Sequence, residues 1–135
     1  MNLPALSSYG KINIILLVFL TALLGYSAVF PPEADTHPIP CIHQQITGQP
    51  CPTCGLSRSF SSMIRFDFFR AEQWNPFGPR LFLFFFVQWI FRIVFLILAF
   101  RFRNYEKTII IPDIILSAGI FLYAYLPLIR TLFRF

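Results

Sequence analysis

The sequence predicts an all-α membrane protein, with three transmembrane helices plus a short amphipathic helix, interfacial or re-entrant, after a Cys-rich loop. Three observations carry that prediction. Apolar residues make up 56% of the 135 positions, and eighteen are Phe. Charged residues make up only 13%, against roughly 25% in soluble domains. Much of the apolar content falls in three long runs, each of a length that crosses roughly 30 Å of hydrocarbon at about 1.5 Å per residue. A soluble domain of this size cannot hide so much apolar surface, so the bilayer is the expected partner. The net charge of +5 does not point to nucleic acid. Its basic residues flank apolar runs, as side chains anchored at headgroups do, and form no single basic segment.

In chain order, one domain over 1–135 divides into five stretches. The first spanning helix is expected over 12–30, after Lys11, and the Pro31-Pro32 pair stops it. Thr21 and Gly25, four apart, form a small-residue ridge where another helix could approach. Residues 31–54 read as a loop, rich in proline, with Gly48 and all three cysteines. Residues 55–70 read as an amphipathic helix: Leu56, Phe60, Met63, Ile64 and Phe68 on one face, Arg58, Ser61, Ser62 and Arg65 on the other. Asn75-Pro76 is a cap-and-first-turn signal, so the second spanning helix is expected over 76–100. A polar turn at 101–107 leads to the third, over 108–128.

Two charged residues interrupt the apolar bodies of the second and third runs. Arg92 lies near the middle of the second run, with Gln88 one turn before it on the same face. Asp113 lies about one turn into the third. A charge at that depth costs several kcal/mol unless it is paired. A tight hairpin at 101–107 would set Leu96 about level with Asp113 and Arg92 about one turn deeper, so an Arg92–Asp113 pair or a water-bridged equivalent is expected, with Ser117 in reach of the long side chain.

The chemistry-bearing stretch is Cys41 to Arg58. Cys51-Pro52-Thr53-Cys54-Gly55 has the spacing of a zinc knuckle, in which glycine allows the turn that points both sulfurs at one metal. Cys41 and His43 would complete a Cys3His set, so zinc is the one cofactor the residues suggest. A second reading is redox: Cys54 sits at a helix start with Arg58 one turn on, and both favour a thiolate. A third is a disulfide from Cys41 to Cys51 or Cys54 that pins the loop. His37 lies outside the cluster. Spacing alone leaves the three readings open.

The stretch Cys41-x-His43, Thr47-Gly48, Cys51-Pro52-x-Cys54-Gly55-Leu56-Ser57-Arg58, then Asp67 and Asn75-Pro76, resembles an uncharacterised family of small bacterial membrane proteins known as Domain of Unknown Function 2752. The resemblance covers about residues 40–80. It marks Cys41, Thr47, Gly48, Cys51, Pro52, Cys54, Gly55, Ser57, Arg58, Asp67, Asn75 and Pro76 as motif positions. Ser57 stands where Thr is more usual, and Ile42 where Pro is common. The resemblance implies a leading membrane helix, a Cys-rich loop, a short helix and trailing membrane helices, and it supplies no activity.

Together these readings lead to an expectation: a small integral membrane protein whose Cys loop is a structural clasp, by disulfide or zinc, supporting an interaction surface. The chain would serve as an accessory subunit alongside other membrane proteins. The alternatives are a membrane thiol-redox or metal-dependent enzyme using Cys51, Cys54 and Arg58, and a lipid or small-molecule binding protein. The expected location is the bacterial inner membrane. Lys11 and the basic turn at 101–107 place the N-terminus inside and the Cys loop on the outer face.

Overall fold

The computed structural model describes residues 7–33, 46, 48, 53–102 and 106–133. Among these are five helices and no strand: α1 (Ser8–Val29), α2 (Leu56–Ile64), α3 (Phe68–Trp74), α4 (Gly78–Arg101) and α5 (Glu106–Leu132). Helices α1, α4 and α5 contain the three stretches long and apolar enough to cross a membrane. Between 11% and 22% of each such stretch is buried inside the protein. The rest is apolar surface that water would not tolerate, so the chain is a multi-pass membrane protein with lipid around it.

Helix α1 starts at Ser8, earlier than the apolar run, because the Ser7 hydroxyl accepts the Gly10 N–H at 3.1 Å and caps the first turn. It ends at Phe30, directly before Pro31. Helix α4 packs against α1, α2, α3 and α5, which makes it the axis of the fold. The apolar core lies at one end of that axis. Phe60 and Met63 of α2 and Ala71 of α3 meet Leu81 and Phe82 of α4 and Ala124 and Leu128 of α5. Phe60 stands edge-on to Phe82 and Phe85, with centroids 5.6 and 5.8 Å away, a favoured aromatic geometry.

The stretch expected as one amphipathic helix over 55–70 is two helices. The break is a Schellman ending at the C-terminus of α2. The Phe66 N–H donates to Met63 O and the Asp67 N–H to Ser62 O, at 3.0 and 3.1 Å. Phe66 takes the left-handed position at φ 60, where glycine is usual. Asp67 then caps α3, its Oδ1 accepting the Arg70 N–H at 3.1 Å. Without a glycine or proline at the break, the apolar periodicity runs through it in the sequence.

Nor is the serine face of α2 turned to solvent. Ser59, Ser61 and Ser62 are all buried. Packing against α1, α3 and α4 covers them, and each hydroxyl donates to a backbone carbonyl, of Ala71, Ser57 and Arg58 respectively. Arg65 reaches across to α1. Its guanidinium donates to Ser27 O at 3.3 Å and Ala28 O at 3.0 Å, carbonyls that the helix end leaves without intrahelical partners.

One further expectation is corrected, and one open possibility is decided. Asn75-Pro76 does not open the second spanning helix; α4 begins at Gly78 with Pro79 in its first turn, and Asn75 closes α3 instead. The Gly25 half of the Thr21–Gly25 ridge makes no close approach, since a Cβ there would find nothing within 4 Å among the described residues. Thr21 is used differently: its hydroxyl accepts the Trp89 indole N–H at 2.9 Å.

Candidate functional site: the Cys54 joint and the Arg92 cluster

The joint is built where the chain enters α2. Gly55 caps that helix with φ 79, a conformation L side chains avoid. Glycine is needed there for space as well, because a Cβ would lie 2.4 Å from the Trp74 carbonyl oxygen. Gly78 is the second close approach: a Cβ there would lie 1.9 Å from Ser59 Oγ and 2.6 Å from Ser59 Cβ. These two glycines let α2 sit directly on the end of α3 and the start of α4.

Asn75 ties the three segments together. Its Nδ2 donates to Cys54 O at 3.0 Å, and its Oδ1 accepts the Phe77 N–H at 2.9 Å. Its own carbonyl accepts the Gly78 N–H at 2.9 Å. Ser59 Oγ donates to Ala71 O at 2.7 Å inside the same joint. Arg58 lies over the Trp74 ring, 4.7 Å from its centroid, as a cation on an aromatic face. Asp67 pairs with Arg70 at 3.3 Å besides capping α3, and Arg70 also pairs with Glu33. Arg58 is therefore turned toward Trp74, and Asp67 toward its own helix.

Cys41, His43, Thr47, Cys51 and Pro52 lie outside the described residues, so the zinc set and the disulfide from Cys41 to Cys51 or Cys54 named above fall outside them too. Among the described residues no group of three His, Cys, Asp or Glu side chains could hold a metal ion. Gly48 holds φ 70, a left-handed position that suits glycine. Pro76 follows Asn75 between α3 and α4.

The second site lies at the other end of the bundle and draws on all three long helices. Arg92 and Asp113 form an ion pair, with side chains 7% and 5% exposed. Arg92 Nη1 also donates to Asn13 Oδ1 at 2.7 Å, and Nη2 to Ser117 Oγ at 3.1 Å and Gln88 Oε1 at 3.5 Å. Asp113 accepts from the Tyr9 hydroxyl at 2.8 Å and from Ser117 Oγ at 3.2 Å. The structure thus brings Arg92, Gln88, Asp113 and Ser117 together and adds Tyr9 and Asn13. The buried Arg92 Nε and Gln88 Nε2 find no acceptor among the described residues. The arrangement neutralises a deep charge and couples α1, α4 and α5 through polar contacts, which is how helices associate when the medium around them is as apolar as their side chains.

Sequence reasoning missed Ser59, Trp74 and Gly78 at the joint, and Tyr9 and Asn13 in the cluster. Asn13 did leave a signal, as an amide inside an otherwise apolar run. Gly78 left none, because a glycine at a helix start looks the same whether or not another helix touches it.

Residues 41–89, which span the whole joint and the start of the Arg92 cluster at Gln88, match the family model described as "Protein of unknown function (DUF2752)", and the chain is consistent with that family. No curated protein and no solved structure gives a match.

Proposed function

We propose that this small integral membrane protein acts as an accessory subunit, and that its Cys segment is a structural clasp holding an interaction surface in place. The observation that carries the reading is the commitment of the motif side chains. Gly55 and Asn75 are engaged in holding α2 and α3 on α4, and Asp67 caps α3. Arg58 stacks on Trp74 rather than standing free to activate a thiol. In this reading Cys54 forms the covalent clasp, and a sulfur so bonded is neither thiolate ligand nor nucleophile, which sets the clasp apart from a zinc site or a dithiol.

The surface so held is the aromatic ridge of Phe66, Phe68 and Phe69, which are 80%, 57% and 74% exposed. Aromatic side chains of this kind serve at membrane interfaces and at protein–protein contacts. The membrane is the bacterial inner membrane, with the clasp on its outer face, where disulfides persist. That orientation is supported by Lys11 before the apolar body of α1 and by Arg101 and Lys107 at the α4–α5 turn. At the opposite end Arg58, Arg65 and Arg70 are engaged internally, which leaves Arg80 and Arg130 as the described basic residues that count against this orientation.

The test is Cys41→Ser, Cys51→Ser and Cys54→Ser in the native membrane, read by abundance and by native-gel migration. The clasp reading expects Cys54→Ser and the variant at its partner cysteine to lower abundance and remove any larger complex. Normal abundance and migration for all three, with only a chemical phenotype lost, would support the thiol enzyme that uses Cys51, Cys54 and Arg58.

A further inference from the structure

The start of α4 and the end of α5 meet at an open groove of about 670 Å³, lined by Arg80, Pro127, Arg130, Thr131 and Phe133. It lies at the clasp end of the bundle, and its two charged residues have the same sign. The other arginines described at this end have partners on the protein. Arg58 lies on Trp74, Arg65 on the last carbonyls of α1, and Arg70 on Glu33 and Asp67. Arg80 and Arg130 meet no acidic side chain among the described residues, and both are exposed. Thr131 donates its hydroxyl to Pro127 O at 2.9 Å, so the donors left to face the groove are the two guanidinium forks.

We propose that the Arg80–Arg130 groove binds the phosphate of an anionic phospholipid headgroup. Two guanidinium groups can each offer paired N–H donors to phosphate oxygens, a geometry arginine provides and lysine does not. Bringing two cations to one groove leaves a repulsion that an anion relieves. The groove is larger than a phosphate alone requires, and Pro127 and Phe133 give it an apolar wall for the glycerol and first acyl carbons. Its place at the end of two spanning helices puts it where headgroups lie.

The experiment uses the full chain purified in a neutral detergent. Native mass spectrometry measures adducts with phosphatidylglycerol, with phosphatidylcholine and with inorganic phosphate. The wild type is expected to hold phosphatidylglycerol well above phosphatidylcholine. Arg80→Gln and Arg130→Gln are each expected to weaken that binding about fivefold, and the double variant about 25-fold. Lys107→Gln, at the far end, is expected to leave it unchanged. Unfolding midpoints within error of wild type keep loss of folding from passing as loss of the site, and Arg80→Lys with Arg130→Lys should recover only part of the affinity. Equal binding of the two lipids, or a double variant within about twofold of wild type, would overturn the proposal. Displacement of phosphatidylglycerol by inorganic phosphate at matching concentration would overturn the lipid as the source of the phosphate.

Discussion

Removing one member of the Arg92–Asp113 pair should destabilise the protein far more than removing both. Both side chains are buried. In Asp113→Asn the guanidinium stays buried and keeps neutral acceptors, chiefly Asn13 Oδ1 at 2.7 Å and Ser117 Oγ at 3.1 Å. It loses its counter-charge, and breaking a buried pair from one side costs about 3–5 kcal/mol. In Arg92→Gln the carboxylate is the group left behind. Tyr9 and Ser117 still donate to it, so the expected cost is at the lower end, about 3 kcal/mol. The double variant leaves two amides among hydroxyl and amide partners. Neutral polar contacts in a membrane bundle contribute roughly 0.6 kcal/mol each, with a maximum near 2, so its cost should be about 1–2 kcal/mol. Reversible unfolding in mixed micelles, followed by the fluorescence of Trp74 and Trp89, measures all three. The double variant should fall short of the sum of the singles by more than about 2 kcal/mol. Additivity within about 0.5 kcal/mol would refute the coupling.

Three further outcomes follow from the joint. Gly78→Ala should cost about 1–3 kcal/mol in the same unfolding assay, because the new methyl group meets Ser59 Cβ at 2.6 Å; Gly25→Ala, with open space around it, should be neutral or slightly stabilising. Asn75→Asp keeps the acceptor for the Phe77 N–H but replaces the donor to Cys54 O with a carboxylate oxygen, and should cost about 1–3 kcal/mol, seen as a lowered unfolding midpoint. Phe66→Gly should raise stability by about 0.5–1 kcal/mol, because it relieves a left-handed aromatic residue that is largely exposed; a loss of stability there would mean that the ring contributes more than its backbone costs.

How much of this was legible in the sequence depended on the length scale of the signal. The three long helices are written as apolar runs, and no packing detail is needed to see them. Arg92 and Asp113 were visible because a charge in hydrocarbon needs a partner, and few were on offer. The end of α2 was not visible. A Schellman ending usually shows itself by glycine, and here Phe66 holds the position, so the break carries no residue-type signal. The burial of Ser59, Ser61 and Ser62 was likewise hidden, because serine on a helix face looks solvent-directed until a backbone carbonyl comes within reach. Asn75 carried a correct chemical message, a side chain that satisfies backbone groups, attached to the wrong helix. Its partner Cys54 lies 21 residues earlier, and only the fold brings the two together.

The most direct test of the clasp is a count of thiols on the intact chain. Protein extracted from the membrane is denatured without reductant, labelled with an alkylating reagent and weighed whole. The account predicts one label, on the cysteine left over from a single internal disulfide that includes Cys54. Three labels, with one zinc ion per chain retained before denaturation, would contradict it.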